Sequence, residues 1–159
     1  MPNTFTLPYA PETITSHFGP RFINPKTGAL VSMLATQAEL EAAILQDHDG
    51  VDARLEEGTE VLCPADGEVS LVTDDEEESG FSISILHGTG AVMSVFGHLQ
   101  ERPPFEKGDK VKQGDVIGLV GNTGNSTAPH LHTSVLVRGV AYNPETVASK
   151  WDYYQSVEW

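Results

Sequence analysis

Four of the six histidines in this 159-residue chain fall into three short strings, HDGVD at 48 to 52, FGHL at 96 to 99 and PHLH at 129 to 132. Histidine and aspartate grouped in this way suit metal binding or acid–base chemistry, because imidazole titrates near neutrality and is the commonest metal ligand. In the third string His130 and His132 flank Leu131, and HLHTSV alternates polar and apolar residues. A period of two marks a half-buried strand, on which both histidines point the same way, roughly 7 Å apart, while Leu131 points into the core. In the first string His48 and Asp52 would lie about 13 Å apart on an extended strand, too far for one metal with bonds of about 2 Å. Gly50 and β-branched Val51 disfavour a helix, so the chain must bend between the two, and Gly50 is the residue that permits it. His48, Asp52 and one histidine of the third string then supply two imidazoles and a carboxylate, a set suited to one Zn²⁺ ion with an open fourth position. An open site polarises a carbonyl and lowers the pKa of bound water toward about 7. A closed structural site would use four protein ligands, usually including Cys, and nothing in the sequence supplies them.

The elements that must position these residues are mostly short strands. From Val51 onward, EVLCPA, GEVSLVT, FSISILH, AVMSVFGHL, DKVK, DVIGLVG, HLHTSVLVR and VAYN are separated by Gly, Asp and Pro, the spacing of an antiparallel β-sandwich or barrel. GTEVLCPADGEV at 58 to 69 and GDKVKQGDVIG at 108 to 118 echo each other weakly as strand, tight turn and strand. Residues 1 to 30 are rich in Pro, Asn, Thr and Gly, with one strand expected near Thr13 to Phe18. The run TQAELEAAILQD at 36 to 47 predicts a helix, with Thr36 and Glu39 as a capping box and Leu40 and Ile44 as its apolar stripe. No linker or second domain is evident, so residues 1–159 read as one domain with a core at about 13–145.

Composition bounds the partners. A formal charge of −14 argues against nucleic acid, which requires clustered Lys and Arg. No apolar run reaches the roughly 18 residues that a membrane span needs, and the amino terminus has no basic start or hydrophobic stretch of a secretion signal. The single cysteine, Cys63, lies in the apolar run VLCPA, which excludes an internal disulfide and reads as a core thiol. The acidic run DDEEES at 74 to 79 reads as a solvated loop, since it lacks the residue order of a calcium loop. A biotinyl- or lipoyl-type carrier, suggested by the two echoing segments, is disfavoured because no Met-Lys-Met or Asp-Lys-Ala tip occurs.

The strings SHFGPR at 16 to 21, HDGVD, FGHL and GNTGNSTAPHLH at 121 to 132 stand in an order that resembles the M23 peptidases, the lysostaphin- or LytM-type zinc endopeptidases that cut peptidoglycan cross-links. The resemblance runs over about residues 13 to 145 and includes EGTEVLCPADGEV and KGDKVKQGDVIGLVG. It implies a mainly β fold, an antiparallel barrel-sandwich hybrid, with the 36–47 helix as an insertion. It further implies His48, Asp52 and His132 as the ligands of one zinc ion, and His98 and His130 as catalytic histidines. A peptide of bacterial peptidoglycan is the implied substrate, a catalytically silent wall-binding relative the alternative, a monomer the simplest state, and the cell wall, reached from a cell or a phage, the place of action. Asn122, Thr123 and Ser126 lie in the Gly-rich loop and are candidate substrate-binding residues. Arg21 is expected to brace the site, and His17 and His87 to be structural or surface histidines. The chain departs from the family pattern in the 36–47 insertion, the acidic hairpin at 74 to 79, and Ala128, Thr133 and Asn143. None of these removes an implied ligand.

Overall fold

Short connections leave neighbouring strands little choice but to reverse direction, and every strand pairing among the described residues is antiparallel. The structure, a computed structural model, describes residues 4–23, 26, 30, 36–38 and 44–159. Its strands are β1 Ile14–Ser16, β2 Gly19–Ile23, β3 Ile44–His48, β4 Val51–Ala53, β5 Glu60–Leu62, β6 Gly67–Asp75, β7 Gly80–His87, β8 Val92–Leu99, β9 Lys110–Val111, β10 Val116–Leu119, β11 Leu131–Val137 and β12 Val140–Tyr142. Two short helices follow, α1 Pro144–Ser149 and α2 Trp151–Tyr154. The main sheet runs β1-β4-β11-β8-β7-β6-β9, with β12 added to β11, and two-stranded ribbons β5-β10 and β2-β3 complete the set.

The two echoing segments explain the hybrid architecture. β5 pairs with β10 and β6 with β9, so each strand-turn-strand unit clasps the other. Backbone bonds from Cys63 to Asp115 and from Val69 to Asp109 extend the clasp. Between it and the long strands lies the main core, with Val61, Val69, Ile83, Ile85, Phe96 and Leu131 fully or almost fully buried. Cys63 belongs to this core, as its apolar setting predicts, and burial pushes its thiol up to about 12. A second cluster lies under the helices, where Trp151 and Val147 pack on Val92 and Val135 and the amino-terminal arm contributes Phe5.

One expectation is corrected. The helix predicted over 36–47 does not reach its carboxyl end: Gln37 and Ala38 are helical, residues 39–43 lie outside the described residues, and from Ile44 to His48 the chain is strand β3. β3 pairs along its whole length with β2, from Gly19 opposite His48 to Ile23 opposite Ile44. A ladder of cross-strand hydrogen bonds outweighs the few tenths of a kcal/mol per residue by which helix propensity favours the alternative. The carboxyl-terminal helices were not anticipated, although Asn143 caps the first, its side chain accepting from the Glu145 amide at 3.0 Å with Pro144 following. No helix among the described residues is long and apolar enough to cross a membrane.

Candidate metal centre

Three neighbouring strands of the main sheet, β4, β11 and β8, and the end of β3 deliver the side chains of the site. On β11, His132 stands opposite Asp52 of β4 on one side and opposite Gly97 of β8 on the other. Leu131 and Thr133 are fully buried, so the pleat turns His132 outward, and His130, just before β11, bridges Gly121. His48 ends β3 and the chain bends through Asp49 and Gly50 into β4. The bend brings His48 Nε2 to 3.3 Å from Asp52 Oδ2, while His132 Nδ1 lies 2.8 Å from Asp52 Oδ1. Gly50 is required here by close approach: a Cβ would stand 2.3 Å from the Thr133 carbonyl oxygen and 2.9 Å from His132 Nε2.

Hydrogen bonds around each ring fix what it can offer. His48 donates Nδ1–H to the His17 carbonyl at 3.0 Å, which leaves the Nε2 lone pair facing a carboxylate oxygen. His132 has Ser134 Oγ at 2.9 Å and Asp49 Oδ1 at 3.1 Å from Nε2, so its Nδ1 lone pair likewise faces Asp52. Acceptor against acceptor is unfavourable unless a cation lies between them. Ligands held about 2.0 to 2.2 Å from a tetrahedral zinc are about 3.3 to 3.6 Å apart; the His48–Asp52 separation of 3.3 Å meets this spacing and the His132–Asp52 separation of 2.8 Å is somewhat shorter. The donor set therefore fits a metal ion of zinc's size and preferences. With no cation bound, a proton takes the place. Burial pulls the His132 pKa down, but the Asp49 and Asp52 carboxylates outweigh it and hold it up at about 9. For Asp52, burial works to raise the carboxyl, yet hydrogen bonds with His132 and His48 hold it far below the usual carboxylate range.

Asp49 is the residue that sequence reasoning passed over. His48, Asp49 and His132 place one ligand atom each within 4.8 Å of one another, so the carboxylate with metal-ligand spacing to both histidines is that of Asp49 as well as the hydrogen-bonded one of Asp52. The two carboxylates differ in setting, since Asp49 is 71% exposed and Asp52 only 19%. The signal was present in the HDGVD string, but strand parity gives no reason to single out the residue at the bend.

His98 and His130 stand beside the centre with ring centroids 4.5 Å apart, and His98 lies 6.2 Å from His132. His98 donates Nδ1–H to the Thr123 carbonyl at 2.7 Å, and His130 donates to the Ala128 carbonyl at 2.9 Å. Each thus keeps Nε2 free, and that of His130 lies 3.9 Å from Asp52 Oδ1. His98 has a left-handed backbone with φ of 60°, a conformation costing about 1 to 2 kcal/mol for a side chain with a Cβ. Its amide donates to the Ser79 carbonyl at 2.6 Å, so the acidic hairpin, read as a solvated loop, also fixes a site residue through its backbone. Burial lowers the His98 pKa, with smaller pushes from His130 and His132 against the Thr123 hydrogen bond.

The Gly-rich loop holds these rings in place. Thr123 donates its hydroxyl to the Leu99 carbonyl at 2.6 Å and accepts from the Phe81 amide at 3.1 Å. Ser126 Oγ contacts Asn122 Oδ1 at 2.6 Å and His130 Nδ1 at 3.0 Å. Asn122 itself is exposed at the rim. The side chain of Arg21 lies outside those described. His87 is buried at the far end of β7, away from His48, His98, His130 and His132, with Nε2 2.7 Å from Ser94 Oγ.

An antiparallel β fold with a histidine–aspartate centre on adjacent strands places the chain in the lysostaphin-type class. It matches the catalytic domain of lysostaphin from Staphylococcus simulans with a TM-score of 0.67 and 26% identity, over 86% of this chain and 92% of that one. The match to a zinc-containing peptidase from Vibrio cholerae has a TM-score of 0.69 and 30% identity, over 89% of this chain and 39% of that one. The chain belongs to peptidase family M23, whose family model matches residues 46–144. Among curated relatives, the peptidoglycan DD-endopeptidase ShyC of Vibrio cholerae is 32% identical over 134 residues, 84% of this chain and 27% of that protein. The chain spans about a quarter of the length of the first curated relatives it matches.

Proposed function

We propose that this chain is a zinc-dependent endopeptidase that hydrolyses peptide bonds in the stem peptides or cross-bridges of bacterial peptidoglycan, acting at the cell wall or in the periplasm. His48 Nε2, Asp52 and His132 Nδ1 would hold the ion, and Asp49 would hold the Nε2–H of His132. When bound, zinc supplies a Lewis acid for the scissile carbonyl and the water that attacks it. His98 and His130 present free Nε2 atoms beside this position. One accepts the proton of the attacking water, and the departing amine takes a proton before it leaves. Backbone carbonyls of Thr123 and Ala128 hold both rings in the tautomer that this duty requires. Thr123 and Ser126 position the histidines, and Asn122 at the rim is the member of that loop left to meet the substrate.

The observation that carries the reading is the pair of imidazole lone pairs aimed at the two oxygens of Asp52. Membership of family M23 and the likeness to a DD-endopeptidase support the substrate. Elemental analysis of wild type should find one zinc per chain, and purified peptidoglycan should clear in a turbidity assay. His132→Ala should lose the metal and clear the wall at least about a thousandfold more slowly. Folded wild type that neither retains zinc nor clears peptidoglycan would sink the reading.

A further inference from the structure

Arg54 directly follows β4 and continues its alternation. Val51 and Ala53 are buried and Leu55 packs against the main core, which leaves Asp52 and Arg54 on the opposite face. Same-face neighbours on a strand lie about 7 Å apart, so Arg54 stands one step beyond the aspartate of the metal centre. A groove of about 210 Å³ joins them, lined by Thr15, Asp52, Arg54, Thr127 and His130 among others. Among the described residues no carboxylate lies within ion-pair distance of Arg54. The chain carries 23 acidic residues against nine basic ones, so an arginine without an acidic partner, in the groove that also holds Asp52 and His130, is unusual in position as well as in number. A guanidinium presents a planar fork of donors that matches a carboxylate; Thr127 lines the same groove, while the Thr15 hydroxyl donates to the Asp52 carbonyl at 3.3 Å. Without Arg54, Asp52 and the acidic surface would repel an anionic ligand there.

We propose that Arg54, with Thr127 beside it, forms a subsite for a free carboxylate on the peptide substrate, roughly one or two residues from the bond that is cut. The subsite rests on the peptidase reading and adds a preference for stem peptides whose carboxylates are free over those whose carboxylates are amidated.

The test uses a cross-linked stem-peptide dimer with free carboxylates and the same dimer amidated at those positions, with zinc-loaded wild type, Arg54→Gln and Arg54→Lys. Wild type should cleave the free-acid dimer with kcat/KM about tenfold above the amidated one, the scale of one charge-assisted hydrogen-bonded pair. Arg54→Gln should lose that factor on the free-acid dimer, chiefly through KM, and less than twofold on the amidated dimer. Arg54→Lys should recover part of it, since an ammonium keeps the charge without the fork. Equal losses on both dimers, or no loss on either, overturn the subsite. Calorimetric titration of the same dimers separates the two readings: tighter binding of the free acid that disappears in Arg54→Gln upholds the subsite even if neither dimer is cleaved. Equal binding of both dimers by wild type overturns it.

Discussion

His132 and His87 are the same residue in two kinds of burial, and their chemistry moves in opposite directions. His132 sits between two carboxylates at one end of the strands, and its pKa is held up at about 9. His87 is 1% exposed at the other end, against Phe5 and Trp151, with a serine hydroxyl and the Asp66 and Ala65 backbone carbonyls as polar partners. Burial there pushes it down to about 4, against weaker upward pulls from the Asp66 and Ala65 carbonyls. Desolvation always disfavours the charged imidazole; what differs is whether ionised partners repay it. The half-buried histidine with carboxylates is held toward its charged form, and the buried one without them is a neutral part of the core.

The largest effect that sharpens this contrast belongs to His87. Its folded pKa lies below the ordinary 6.5 of the unfolded chain. Its stabilising contribution is therefore complete above pH 6.5 and drains away as pH falls toward 4, where the unfolded chain binds a proton and the folded chain does not. Urea unfolding should show a loss of about 3 kcal/mol over that window, absent from His87→Gln. The same acid sensitivity in both proteins would mean that His87 is not its source.

A smaller effect should come from Asp49→Asn. Removing one of the two carboxylates that hold His132 up should drop the ring's pKa in the metal-free protein, read by NMR titration. Zinc affinity should weaken about tenfold, the usual scale for groups that support a ligand. If affinity falls to that of His132→Ala, Asp49 is itself a ligand and the roles of the two carboxylates need redrawing.

Salt should have the smallest effect and should act on one region only. The formal charge of −14 opposes approach to an anionic wall, and screening shortens its reach to about 8 Å at physiological ionic strength. Clearing of peptidoglycan should therefore quicken about twofold to threefold as salt rises from low values. The part of acid unfolding due to His87 should stay, because desolvation is not screened. A steady fall in activity with salt would contradict the repulsion.

Strand order was legible wherever apolar residues alternated and turn residues bounded them. β5 and β8 to β12 fall within strings marked by that pattern, β7 starts one residue before its string, β6 runs on through Asp74 and Asp75 of the run read as a loop, and β1 lies within the strand expected near Thr13 to Phe18. β3 was not legible because its run has good helix formers and its partner, β2, lies more than twenty residues away in sequence. Local propensity has no access to such a pairing. For the same reason the bend at Asp49 and Gly50 could be inferred from reach, but not which oxygen would face which nitrogen.

By itself, the sequence pointed to the residues that could do chemistry and to an antiparallel β protein, because residue type and period are local properties; the lysostaphin type came from the resemblance carried by the order of its motifs. It also separated His130 from His132 by a single pleat. Only the tertiary structure decided that β4, β11 and β8 lie side by side, setting Asp52 against His132, turning Asp49 toward the ring's other nitrogen and leaving Arg54 in the groove beyond. Those relations depend on cross-strand register and on hydrogen bonds between residues up to 80 positions apart, which no local pattern encodes.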